Sequence, residues 1–189
     1  MTKKIVEILA DGFEEVEALA PCDFWKRCGC TVVLAALNGK SAVGAHNITV
    51  TCDVCIDDID ITEYDVIFLP GGMPGSLNLY NSDKVISMLR TMSDMGRITA
   101  AICAAPMVLN KAGLLAGKRC TMYPSAALRQ EYCPGIVFEE VPAVADGNVI
   151  TGRGPGAAFA LAFKTAVAAG FEEKAVQTAK DMLIAEGAL

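Results

Sequence analysis

Four short runs of nearly unbroken apolar residues, at 5–9, 31–36, 65–69 and 98–102, constrain this chain more than any other feature. Only Glu7 interrupts the first. A strand with one face in water alternates apolar and polar residues, whereas a continuous run belongs to a strand covered on both faces. The runs therefore predict a parallel sheet with helices on either side, a three-layer α/β sandwich. The segments between them carry helical periodicity and helix punctuation. Residues 14–28 open with Glu14, Glu15 and Glu17, which suit the positive end of a helix dipole, and stop at Gly29. Residues 81–95 take Asn81 or Ser82 as a cap and end at Gly96, and 104–112 close at Gly113. Further helices are expected at 125–132, 156–169 and 172–185. Residues 39–56 alternate polar and apolar and predict a small antiparallel excursion. Asp146-Gly147 joins two more strands, 141–145 and 148–151, as a hairpin.

With 189 residues, no internal repeat and no linker, the chain is expected to form one domain over 1–189. A hydrophobic content of 53% supplies a large aliphatic core, and a net charge of -6 offers no basic footprint for a nucleic acid. The most apolar stretches, 98–109 and 157–171, are broken by Pro106 and Lys164, so no membrane segment is expected. The run after Lys3-Lys4 is too short for a signal peptide, which points to a cytoplasmic protein. In that setting the eight cysteines are reduced thiols, mostly small buried hydrophobes. The Cys28/Cys30 spacing is tight for zinc, and Cys52/Cys55 lie three apart in a strand-like stretch, so neither a metal site nor a redox pair is expected, and no cofactor is called for.

Ligands of open parallel sheets bind beyond the carboxyl ends of the strands. Three segments occupy that position: residues 11–17 with their carboxylates, the loop 70–75 with Gly71-Gly72, and Cys103-Ala104-Ala105-Pro106. If their strands are neighbours, the three converge at one rim. Cys103 sits between an apolar strand and a helix start, beside small residues, the arrangement of a sharp turn that lifts a nucleophile out of a sheet. A helix dipole and free N–H groups there favour thiolate. From spacing, a nucleophile and a buried strand-ending cysteine are equally well served. Gly71, Gly72 and Ala104 offer backbone N–H groups for an oxyanion hole. Glu14 and Glu17 share a helix face; one glutamate pressed against the thiol would keep its proton and donate to sulfur, and at least two of the three are expected to be solvated.

His46 is the sole histidine and lies in the antiparallel excursion, so a Cys–His dyad would need it to fold over the rim; a surface position is preferred. Gly152-Arg153-Gly154-Pro155-Gly156 lacks the spacing of a phosphate loop, and Arg153 reads as a structural residue at a helix start. Trp25, Phe159 and Phe163 read as core.

Residues 10–17 (Ala-Asp-Gly-Phe-Glu-Glu-Val-Glu), 69–72 (Leu-Pro-Gly-Gly), 101–106 (Ala-Ile-Cys-Ala-Ala-Pro) and 153–156 (Arg-Gly-Pro-Gly) together resemble the ThiJ/PfpI superfamily, most closely its DJ-one branch of stress-response proteins and deglycases. The likeness runs from about Lys4 to the final helix. It implies a flavodoxin-like, class I glutamine-amidotransferase-like sandwich, usually a homodimer, in which Cys103 is the reactive cysteine and Glu17 the protonated glutamate touching it. Gly72 and Ala104 match the backbone donors. The implied activities are glutathione-independent conversion of methylglyoxal to lactate and repair of glycated molecules, or alternatively redox sensing through a cysteine sulfinate and chaperoning. Tyr123 stands where many members have a histidine, and Asn47, beside His46, where the branch often has an arginine. Glu14, His46, Tyr123 and Arg153 remain accessory candidates.

Overall fold

The computed structural model describes residues 2–189. Strands β1 (Lys4–Leu9), β2 (Thr31–Ala36), β3 (Ser41–Val43), β4 (Thr49–Thr51), β5 (Val54–Cys55), β6 (Val66–Leu69), β7 (Ile98–Ile102), β8 (Ala143–Asp146) and β9 (Val149–Gly152) form two sheets. Seven of them make one sheet in the order β5-β2-β1-β6-β7-β9-β8, parallel throughout except that β8 runs against β9. β3 and β4 pair separately as the expected antiparallel excursion.

Helices α1 (Glu15–Arg27), α2 (Gly75–Tyr80), α3 (Asp83–Asp94), α4 (Pro106–Lys111), α5 (Ala126–Tyr132), α6 (Ala158–Ala168) and α7 (Glu172–Asp181) cover both faces. The pleat of β1 shows how the layers are divided, because successive side chains point to opposite faces. Val6, Ile8 and Ala10 join Leu89, Met107 and Leu109 on the face covered by α2 to α5. Ile5 points the other way, to Trp25, Phe68 and Leu161 under α1, α6 and α7. Leu9 packs with Phe13, Ala36 and Ala42 beneath the hairpin. Trp25 locks α1 onto α6 by donating from Nε1 to the Ala162 carbonyl at 2.9 Å, and its ring meets Phe68 edge-on at 5.1 Å. No helix of the described residues is long and apolar enough to cross a membrane.

Local chemistry explains where the elements depart from expectation. Gly75 ends the loop expected at 70–75 and no element is expected at 76–80, yet residues 75–80 form α2, held by burial of Ser76 and Leu79 rather than by any side-chain cap. Asn81 closes that helix, so Ser82 alone caps α3, accepting from the Val85 N–H. Val54 and Cys55 leave the excursion and pair with β2 at the sheet edge. Asp146 pairs with Val149, so the β8–β9 turn is Gly147-Asn148, one residue later than expected, which gives the φ of 61° to glycine. Phe159 and Phe163 are only partly buried on α6. α7 stops at Asp181, four residues short, where Leu183 takes a φ of 56°.

Candidate active site

Because β1, β6 and β7 are adjacent, the segments that follow them share one rim. Cys103 follows β7 at a φ of 63°, in the left-handed region that side-chain-bearing residues seldom adopt. The turn is fixed at each point. The Cys103 N–H donates to the Gly152 carbonyl at 2.9 Å, its carbonyl accepts the Tyr123 N–H at 2.8 Å, and the Ala105 N–H donates to the Ile102 carbonyl at 3.0 Å. Ala104 and Ala105 form the turn itself, so α4 starts only at Pro106 and spans 6 residues. Of the eight cysteines, all free, only Cys55 and Cys103 are not buried.

Glu17 comes to this turn from the first turn of α1. It is completely buried, and its Oε2 accepts the Gly71 N–H at 2.9 Å. Its Oε1 has no hydrogen-bond partner, and the carboxyl lies beside the Cys103 side chain, the two meeting around Gly71. Burial raises the Glu17 carboxyl to about 7, so the acid keeps its proton far above the usual carboxylate range. Burial also pushes the Cys103 thiol up, and an ionised Glu17 would push it further through charge and hydrogen bonding; the Gly72 and Ala104 N–H groups pull it down. Burial is therefore the main influence opposing the thiolate that the helix dipole, the N–H groups and the glutamate were expected to favour.

Gly71 is also corrected. Its N–H is taken by Glu17, which leaves Gly72 and Ala104 as the two donors aimed at sulfur. Gly71 contributes instead by being small, since a Cβ there would lie 2.4 Å from Glu17 Oε2 and 2.5 Å from Cys103 Cβ. Gly72 adopts a φ of 91° and fits under the loop of residues 12–14, where a Cβ would sit 2.5 Å from the Glu14 nitrogen.

The other carboxylates are not solvated as expected. Glu14 caps α1, its Oε2 accepting the Glu17 N–H at 2.7 Å, and is partly buried. Glu15 is buried and accepts both the backbone N–H and Nδ1 of His46, each at 2.7 Å. Burial raises its pKa, but these hydrogen bonds from His46 outweigh that and lower it. The hydrogen bond to Glu15 likewise raises His46. His46 therefore lies on the surface, straps the β3–β4 hairpin to α1, and makes no dyad with Cys103. Glu14, Glu15 and His46 bring ligand atoms within 4.8 Å of one another, an arrangement that the cap and the strap already explain.

Tyr123 and Arg153 line an open depression of about 350 Å³ with Pro124, Gly154 and Pro155, joined to the cysteine turn through the Tyr123 N–H. Arg153 is paired with Glu140 at 2.7 Å, which Arg129 also grips at 2.6 Å, so it reads as structural. A larger depression, about 560 Å³ around Lys3, Phe171 and Lys174, opens at the amino-terminal end of β1, away from this chemistry. The sequence did not reveal Gly152 as a site residue. The glycine before Arg153 was the available signal: its carbonyl anchors Cys103, and a Cβ there would meet Ile102 Cγ1 at 2.8 Å.

Fold and rim together define a class: α/β sandwiches with a cysteine on a strained turn after a central strand, against a buried glutamate. The chain belongs to the DJ-1/PfpI family, whose model matches residues 3–168. It is 37% identical to protein dj-1beta of Drosophila melanogaster over 187 residues, covering 98% of this chain and 99% of that one. It is 31% identical to a deglycase of Thermococcus kodakarensis over 158 residues, 83% of this chain and 93% of that protein. The structure of oxidised Toxoplasma gondii DJ-1 superposes with a TM-score of 0.90 at 30% identity, covering 97% of this chain and 100% of that one.

Proposed function

We propose that the chain is a cysteine-dependent stress-response enzyme acting on reactive aldehydes, of the glutathione-independent glyoxalase or deglycase type. The observation that carries this reading is the buried Glu17 carboxyl beside Cys103, with its Oε1 unpartnered. As a carboxylate this oxygen would be a buried charge without a donor, which costs several kcal/mol. As an acid it donates to sulfur. Two of the influences that raise the thiol require Glu17 to be ionised, so below about 7 they lapse and the hydrogen bond favours thiolate instead. On this reading the pair's single negative charge sits on the partly buried sulfur, where the Gly72 and Ala104 N–H groups counter the burial that raises the thiol.

With methylglyoxal, the sulfur attacks the aldehyde carbon and the oxygen is protonated, giving a hemithioacetal. Gly72 and Ala104 hold that oxygen as its charge develops. Glu17 shuttles a proton as C1 loses hydrogen and C2 gains it, which converts the adduct to a lactoyl thioester. Water cleaves the thioester, releasing lactate and the thiol, for a net addition of one water. Proton transfer of this kind contributes on the order of 10²–10⁴ in rate. Named kinship with a deglycase supports an enzyme rather than a binding module. A substrate panel with a Cys103→Ser control tests the reading: turnover is expected only with intact Cys103, and lactate formed by Cys103→Ser at the parent rate would overturn it.

A second reading has its own support, since one structural relative is described as oxidised. Peroxide would convert an accessible Cys103 thiolate to sulfinate, which the Glu17 acid would hydrogen-bond. Mass spectrometry after mild peroxide should then find two added oxygens on Cys103 before the other seven cysteines. A homodimer is also part of the proposal, supported by exposed Val16 and Leu19 on α1 and exposed Ile48 on the hairpin strapped beside it.

A further inference from the structure

Glu7 takes no part in that chemistry, yet it is the least expected residue in the fold. It lies in the middle of β1, flanked by Leu34 of β2 and Phe68 of β6, and is 0% exposed. Neither carboxyl oxygen has a hydrogen-bond partner. Strand alternation turns it, like Ile5, toward the layer that contains α1. The titratable groups around it are Cys22 and Lys26 on α1 and Cys52 beyond β4, with Asp53 acting on both thiols. Among the described residues Lys26 is the cation that bears on it, and it is exposed. Burial holds the Glu7 carboxyl well above its ordinary range.

We propose that Glu7 is a proton-operated latch for α1: protonated, it lets the helix lie flat on the sheet, and ionised, it drives the helix off, carrying Glu17 away from Cys103. The physical reason is that an ionised carboxylate between β1 and α1 has no donor to accept from. Relief comes only by admitting water or by bringing Lys26 inward, and either one parts the helix from the strand. Glu17 sits on the same helix, so the catalytic contact depends on the latch.

The sign of the pH dependence follows from a carboxyl raised in the fold. The fold is favoured fully below the ordinary value of 4.5 and loses that advantage as pH rises toward the raised value. Between those limits one proton is linked to folding, so the folding constant falls about tenfold per pH unit relative to a chain that cannot ionise at this position.

Trp25, the single tryptophan, reports on the latch because it is buried on α1 and bonded to Ala162. Its emission and its urea midpoint are to be followed from pH 6 to 10 in the wild-type chain, Glu7→Gln and Glu7→Leu. Wild type is expected to red-shift and to lose stability with rising pH more steeply than either variant, since Glu17 and His46 add the same slope to all three. The Leu variant should also be more stable than wild type at pH 6, because it removes two unpartnered oxygens. Amide hydrogen exchange should show α1 opening before β6 and β7 in wild type alone. Variants that lose the Trp25 signal in step with wild type would overturn the latch. A Glu7→Leu chain that folds less well than wild type at pH 6 would also overturn it, by revealing a partner for Glu7.

Discussion

Replacing Gly71 by alanine places one methyl group at the junction of every part of the site. Its Cβ would lie 2.4 Å from Glu17 Oε2, 2.5 Å from Cys103 Cβ and 2.8 Å from the Ile102 carbonyl oxygen, all closer than real Cβ contacts come. None of the three can yield cheaply. The Ile102 carbonyl is bound by the Ala105 N–H, Cys103 is tied on both sides by Gly152 and Tyr123, and Glu17 is buried on α1. Overpacking of this kind costs about 1–3 kcal/mol. Moving the Glu17 carboxyl away from the Gly71 N–H forfeits a buried hydrogen bond worth about 1 kcal/mol more. The expected loss is therefore about 2–4 kcal/mol, which a domain with typical stability survives. The functional loss should be larger, because a displacement near 1 Å at reacting atoms costs on the order of 10²-fold. Urea denaturation and methylglyoxal turnover measure the two effects, with Gly156→Ala as the control, since a Cβ there meets nothing within 4 Å. A Gly71→Ala protein with parent turnover and a stability within about 0.5 kcal/mol of the parent would refute the geometry.

Other consequences concern proton transfer, electrostatics, packing and assembly. Glu17→Gln keeps an acceptor for the Gly71 N–H, so melting should change little while turnover drops about 10²–10⁴-fold; unchanged turnover would remove Glu17 from the mechanism. His46→Ala should weaken the fold most between about pH 4.5 and 6.5. Glu15, lowered in the fold, contributes fully above its ordinary 4.5 and loses this as pH falls, whereas His46, raised, contributes fully below its ordinary 6.5 and loses this as pH rises. A wild-type minus variant difference that is flat or greatest at pH 9 in urea titrations would contradict the strap. Trp25→Phe removes the indole N–H that bonds the Ala162 carbonyl and should cost about 0.5–1.5 kcal/mol in chemical denaturation. In the proposed homodimer, Leu19→Glu should shift sedimentation toward monomer; a wild-type chain that sediments as a monomer would remove the dimer, and a variant that stays dimeric would move the interface elsewhere.

The architecture was legible wherever a residue's environment follows from its immediate neighbours in the chain. β2 and β7 have the bounds that their apolar runs predict, and the strand-end rule brings Cys103, the carboxylates of 11–17, the Gly71-Gly72 loop and Ala104 to one rim, with Glu17 singled out by the family resemblance. What stayed hidden depends on distant partners. Nothing near Gly71 in sequence says that its N–H is taken by a carboxylate 54 residues away. Glu15 reads as solvated until the hairpin folds back and His46 covers it. α2 carries loop-forming residues at its start, and only the burial of Ser76 and Leu79 makes it a helix. At Cys103 the turn was visible, but the desolvation that opposes a charge there was not.

The ultraviolet absorbance of the Cys103 thiolate, titrated against pH in the wild-type chain and in Glu17→Leu, bears most directly on the shared proton. The expected midpoint in wild type lies below that of Glu17→Leu, because the acid's hydrogen bond offsets part of the burial that raises the thiol. A wild-type midpoint that Glu17→Leu lowers or leaves in place would put the charge on the carboxylate and contradict the account.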